Sequence, residues 1–314
     1  MASINTNIAA MTALKSLNMT NANLEKTQSR ISTGLKVNSA EDNAAYWSIA
    51  TTMKSDKSAL STVKDALGLG AATVDVASTG ANAAIEVAKE IKNKLVAARQ
   101  PGIDRAKVQA EISQLQSQMI NIATQSTFSG ENWLSVDSSA ANFNATKSIV
   151  SSFTRSGGTV SVGTISVDLS SVKLFDASAV AGADGILDAS RNATTGAVDV
   201  AGTFTVATLN ISALTDSATD LATLDGYIKG ADAAITAMTT ASATLGSAKQ
   251  RISLQKDFVG ALSDAIERGI SSLIDADMTE ESTKLQALQV QQQLGVQALS
   301  IANQSSQSII SLFR

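Results

Sequence analysis

The chain has 314 residues, 44% apolar, 17% charged and only 4% aromatic, with a single proline. A net charge of −4 without blocks of like charge leaves no footprint for nucleic acid or an anionic membrane surface. Neither cysteine nor histidine occurs, so a disulfide framework is excluded, along with the commonest general base and metal ligand.

The opening "MASINTNIAAMTALKS" lacks the basic region and apolar core of a secretory signal peptide. No run of about 18 apolar residues follows anywhere, so no transmembrane helix is expected. Residues 1–35 carry Ala10, Leu14, Leu17, Leu24, Ile31 and Leu35 on one stripe, with Asn21 and Gln28 in the intervening core-like slots. A stripe this narrow, interrupted by amides, predicts a helix that needs a partner.

From residue 53 the pattern strengthens. Met53, Leu60, Leu67, Val74, Ala81, Ala88 and Leu95 recur every seventh position, with Val63, Gly70, Ala77, Ala84, Ile91 and Ala98 as companions. This is the repeat of helices that wrap on one another. "RQPGID" (99–104) breaks the helix at the only proline. A shorter helix follows with Val108, Ile112, Leu115, Met119 and Ile122 on one face, which predicts an antiparallel helical hairpin.

Residues 127–222 are rich in Ser, Thr and Gly. "GGTVSVGTISVDLSSV" alternates Val160, Val162, Ile165, Val167 and Leu169 about Gly163-Thr164, which predicts a β-hairpin turning there. "GAVDVAGTFTVATLNIS" predicts a second pair of strands.

The heptads return at Leu224, Ala231, Met238, Leu245, Ile252, Val259, Ile266 and Leu273. Kept over that many turns, a seven-residue repeat needs a partner winding in a left-handed sense. At about 1.5 Å per residue the helix would run roughly 75 Å, so a rod is expected. Asp277 and Glu280 are placed for a capping box, with Glu281 favourable at the positive end of the last helix.

That last helix, Leu285 to Arg314, has no charged side chain before its final residue. Leu285, Leu288, Leu299, Ala302, Ile309 and Phe313 form its stripe, with Gln292 and Ser306 in matching slots. Val290, Leu294, Val296, Ile301 and Ile310 lie off it. A helix that is apolar on more than one face and uncharged elsewhere needs neighbours on several sides, and one chain cannot supply them all.

Candidate chemistry is sparse. Gly68-Leu69-Gly70 lacks the rest of a phosphate loop and sits inside the heptad stripe. Ser61 and Lys64 have an acyl-enzyme spacing without its downstream motifs. Asp275 and Asp277 are better placed as helix-end residues than as metal ligands. Asn144-Ala-Thr and Asn192-Ala-Thr match the glycosylation pattern, a weak signal without a signal peptide. With no histidine, an H-E-x-x-H protease site in the insertion is impossible.

"SRISTGLKVNSAEDNAAYWSIA" (29–50) resembles the N-terminal signature of bacterial flagellins, S-x-G-x-x-I/V-N-S-A-x-D-D-A-A. Gly34, Asn38, Ser39, Asp42, Ala44 and Ala45 fit it; Asn43 replaces the second acid and Tyr46-Trp47 a usual glycine region. "SINTN" (3–7) and "LGSAKQRI" (245–252) fit as well. "IANQSSQSIISLFR" (301–314) is similar to the family's closing segment, with Asn303, Gln304 and Arg314 in place. The resemblance covers all but the middle insertion, and "AAYWSIATTMKSD" (44–56) is similar to flagellins of rhizobia and related α-proteobacteria.

The resemblance implies a mainly α fold with a small β-rich insertion: terminal helices paired as coiled coils, a long antiparallel helical rod and an outer β domain. Residues 1–40 with 276–314 would form an inner-tube domain, 41–135 with 223–275 the rod, including a β-hairpin, and 136–222 the exposed insertion. It implies a non-enzymatic subunit of an extracellular filament, exported unfolded by the flagellar type III apparatus and using no cofactor. Its partners would be further copies, other flagellin isoforms, an export chaperone, and the filament cap and hook-junction proteins, with no nucleic acid and no membrane insertion. Leu14, Leu17, Leu24, Ile31, Leu35, Leu285, Leu288, Leu294, Leu299, Ile301, Ile309 and Phe313 would form the assembly interface. The alternatives are a hook–filament junction protein with similar ends and, from another class, a coiled-coil surface adhesin.

Overall fold

The computed structural model describes residues 6–178 and 184–312, with side chains as far as Gln304. Helix α1 (Ile8–Thr33) opens at Asn7, whose side-chain oxygen accepts the N–H of Ala10. It closes at Gly34, whose φ of 72° is a left-handed conformation that glycine adopts without a Cβ penalty. Helix α2 (Ala44–Ala98) opens at Asn43, whose Oδ1 accepts the N–H groups of Ala45 and Tyr46. It ends just before the Pro101-Gly102 turn, and Asp104 then caps α3 (Arg105–Gln125). Helices α4 (Ala218–Ile274) and α5 (Met278–Leu312) are separated by three residues, and Asp277 caps α5 through the N–H groups of Thr279 and Glu280.

Contacts divide the chain into two units. One holds the residues up to Ser58 together with those from Ser263 onward, and the other runs from Ala59 to Leu262. In the second unit the heptads do what their spacing demands. Leu60, Leu67, Val74, Ala81, Ala88 and Leu95 of α2 are buried, as are Leu224, Ala231, Met238, Leu245, Ile252 and Val259 of α4. The two segments run antiparallel, because Asp75, Asn82, Lys92 and Arg99 bond Lys249, Ser242, Asp232 and Asp225 in descending order.

Helix α3 buries Ile112 and Met119, but its contact face also holds two amides that a hydrophobic pattern does not mark. Gln109 accepts the N–H of Ile211 and donates to the carbonyl of Leu209, while Gln116 donates to the carbonyls of Val206 and Leu209. These bonds satisfy backbone groups of an irregular segment that would otherwise be buried unpaired. Arg105, also buried, gathers the carbonyls of Ala98 and Leu214 and the carboxylate of Asp216.

Strand content is small. β1 (Thr127–Phe128) and β2 (Glu131–Asn132) make a tight antiparallel pair, and β3 (Ser135–Val136) pairs in parallel with β6 (Phe175–Asp176). The long hairpin is β4 (Thr146–Ser156) with β5 (Thr159–Asp168), and it turns at Gly157-Gly158, not at Gly163-Thr164. Both glycines have positive φ, 57° and 85°, which a two-residue turn of matching twist requires. Gly163 lies inside β5 beside a register shift, where a Cβ would collide with the Ser152 side chain.

The second strand pair, expected within 196–212, does not form. That stretch is held by isolated bridges from Arg191 to Val198 and Phe204 and packs Phe204 against Tyr227 of α4. The Asn144 and Asn192 side chains accept backbone N–H groups two residues on, so both motifs serve as local turns. Near β6 a buried ion pair joins Lys173 to Asp176. Burial pushes the Asp176 carboxyl up, but Lys173 and the N–H groups of Ser138 and Ser178 outweigh it and hold the pKa at about 2.

The insertion approaches α4 closely at Gly226, where a Cβ would overlap the backbone carbonyl of Ala193. Gly246 of the same helix has open space in that direction, with no atom within 4 Å of where a Cβ would stand. Gly226→Ala is therefore expected to cost about 1–3 kcal/mol. Gly246→Ala is expected to stabilise by up to about 1 kcal/mol through helix propensity. Thermal unfolding of the two variants followed by circular dichroism checks the opposite signs.

Candidate assembly surface

The unit formed by the residues up to Ser58 and from Ser263 is built on the pairing of α1 with α5. The inward face of α1 presents Ala10, Ala13, Leu17, Thr20, Leu24, Thr27 and Ile31, and Thr27 alone is fully buried. Thr20 and Thr27 thus take the slots expected for Asn21 and Gln28, one residue further round the helix. Asn21 stands at the edge instead and accepts a 2.9 Å bond from Gln292. The inward face of α5 presents Glu281, Leu285, Leu288, Gln292, Gly295, Leu299 and Ala302, of which Glu281 and Leu288 are buried.

Polar ties fix the register of this pair. Arg30 meets Glu281 at 2.9 Å, and Asn7 donates to the carbonyl of Ala302 at 2.9 Å. A Cβ on Gly295 would lie 3.2 Å from Leu17, so glycine lets the helices approach. Arg30 and Glu281 share one bond, and among the described residues Arg30 Nε and Glu281 Oε2 are buried without a partner.

The interface residues predicted from sequence fall into two groups. Leu17, Leu24, Ile31, Leu35, Leu285 and Leu299 are half-buried and Leu288 is buried. Leu14, Leu294 and Ile301 are exposed, the last two at 57% and 66%. Ile8, Met11, Met19, Val290 and Val296 are exposed with them. The side chain of Ile309, and all of Phe313 and Arg314, lie outside the described residues. Asn303 and Gln304 are exposed on α5.

The other signature residues meet at a clasp between the two ends of the chain. The carbonyl of Gly34 accepts from Ala276, and the N–H groups of Lys36 and Val37 both reach the carbonyl of Ile274. Beneath them Val37, Ala50, Ile270 and Ile274 form a small core edged by Leu35, Met53, Ile266 and Leu273. Asp42 closes the loop, accepting the N–H of Asn38 and an ion pair from Lys26 at 3.0 Å. The N–H of Asp42 donates to the carbonyl of Ser39. Ala44 and Ala45 lie exposed in the first turn of α2, and Asn43 supplies the cap that an aspartate there would give.

Residues 4–139 match the bacterial flagellin N-terminal helical region, and residues 228–313 match the bacterial flagellin C-terminal helical region. Over the full length of both chains, the sequence is 48% identical to Flagellin C and 44% identical to Flagellin A of Rhizobium meliloti strain 1021. It is 44% identical to a flagellin of Brucella melitensis biotype 1, again over the whole of both chains.

The hydrogen bond from Lys26, followed by that from Asn38, holds the Asp42 carboxyl below its ordinary value of 3.8. A depressed carboxylate contributes stability that is complete above its unfolded pKa and is lost as pH falls through the folded one. Asp42→Asn should therefore be less stable than the parent near neutrality. That difference should close as pH drops below about 4, as read from thermal melts across a pH series.

Proposed function

The chain belongs to the bacterial flagellins and is a structural subunit of the flagellar filament, and on that premise we propose that neighbouring copies complete its paired terminal helices. The observation that carries this reading is the outward face of α1 and α5. Ile8, Met11, Leu14, Val290, Leu294, Val296 and Ile301 are exposed on helices with no charged residue at 6–14 or 285–304. An ordinary solvated face would carry charge. Uncharged amides between the apolar residues let many copies crowd together without burying like charges.

The energetics couple ordering to assembly. Fixing a backbone residue costs about 1–2 kcal/mol, and the α1–α5 seam buries little apolar surface to offset it. Lateral neighbours supply the missing burial, so the terminal helices gain their full stability in the polymer. A head-to-tail contact whose rotation does not close then grows as a helical filament. Leu14, Leu294 and Ile301 face other copies in this reading, while Leu17, Leu24, Ile31, Leu35, Leu285, Leu288 and Leu299 hold the pair together.

The division into an inner-tube domain (1–40 with 276–314), a rod (41–135 with 223–275) and an outward insertion (136–222) belongs to this proposal. So do export through the flagellar type III apparatus, an extracellular location, and encounters with an export chaperone, the filament cap, hook-junction proteins and other isoforms. The subunit's role is mechanical, and no catalytic step enters it.

Leu294→Asp places a charge on the outward face without touching the α1–α5 seam. Its helicity should match the parent, while its yield of sedimentable filament should fall at least tenfold. Filaments of normal yield and length from this variant, seen by electron microscopy, would count against the proposed surface.

A further inference from the structure

We propose that Tyr46, Trp47 and Ile49 dock against a second copy of the chain, extending the assembly surface from the terminal helices onto the start of α2; this rests on the assembly reading above. Tyr46 and Trp47 occupy the place where this sequence departs from the flagellin signature. In the folded chain they are exposed at 44% and 40%, and Ile49 at 48%. This helical segment is anchored on its other side by Ala50 and Met53, which pack into the clasp core. Asn43 caps its first turn. The three side chains are thus held outward on a preorganised backbone, which lowers the ordering cost of an encounter.

Chemistry identifies the occupant. Between Asp42 and Lys54 the chain has no charged residue. Within that stretch an acidic peptide, a nucleic acid or a phospholipid headgroup finds no cation, Lys54 being the first along the helix. A tyrosine beside a tryptophan is instead the composition of a protein–protein anchor, where large flat side chains lose water in a pocket. The same unit carries the two other charge-free exposed stretches, 6–14 and 285–304, which the assembly reading above gives to neighbouring copies of the chain. Exposed Met11, Met19 and Met278 in that unit give a second copy soft thioethers suited to aromatic edges.

The chain provides its own reporter. It has two tryptophans, and Trp133 is only 3% exposed in the folded subunit. In a Trp133→Phe variant all indole emission comes from Trp47. Acrylamide quenching of soluble subunits is compared with that of sedimented filaments. The expected result is a quenching constant several-fold lower in filaments, with emission shifted to the blue. If Trp133→Phe fails to fold, the difference between wild type and Trp47→Phe isolates the same signal. Unchanged quenching in well-formed filaments overturns this inference and leaves the assembly reading intact. Failure of the wild-type chain to form filaments at all overturns both. Quenching that falls only when a different protein is added, and not on polymerisation, also overturns it.

Discussion

The seam between α1 and α5 is the constraint on which the terminal unit depends, and it is thin. Among the described residues α1 buries one threonine completely, and α5 one leucine and one glutamate. A fully buried leucine is worth about 1.5–3 kcal/mol. The α2 and α4 segments, by contrast, bury a leucine, valine, methionine or alanine at nearly every heptad position. The same chain therefore contains one helical pairing that buries a continuous apolar row and another that does not. Side-chain size marks the difference: the inward rows hold Thr20, Thr27, Gln292 and Gly295 in one pairing, and Leu67, Val74, Met238 and Leu245 in the other.

That contrast also governs what could be read from sequence. The strict repeats from 53 to 98 and from 224 to 273 leave one face available for burial, and those faces are buried over 60–98 and 224–259 and half-buried at Met53, Ile266 and Leu273. In α1 the weak stripe let the second row slip by one residue, because threonines at 20 and 27 carry no more hydrophobic signal than the amides beside them. Gln109 and Gln116 leave no mark in a hydrophobic pattern for the opposite reason: they are polar, yet they face inward to serve backbone groups of a segment far along the chain. The hairpin turn did have a local signal in Gly157-Gly158, but the alternation that marks β5 runs straight through Gly163 and suggested a break there. The stretch after 196 alternates like strands, yet its backbone is spent on Arg191 and on close packing against α4.

The family signature acquires a physical meaning at the clasp. Gly34 ends one helix in a left-handed turn, and its carbonyl then ties to Ala276 at the start of the other chain end. Val37 and Ile274 bring the apolar floor, while Asn38 and Asp42 close the loop over it. Two terminal segments remote in sequence are thereby held in register within one chain. Glu281, placed by its position near a helix start, gains a second role by meeting Arg30 across the seam. That contact could not be foreseen, because it needs the register that the clasp sets.

The charge-free stretches at 43–53 and 285–304 bear on how such a surface responds to its surroundings. Screening of charge by dissolved ions has little to act on within these stretches. What remains is the hydration of carbon, which weakens on cooling and under denaturants. Cohesion through these faces is thus set by temperature and by solvent quality, dissolved salts that strengthen apolar burial included.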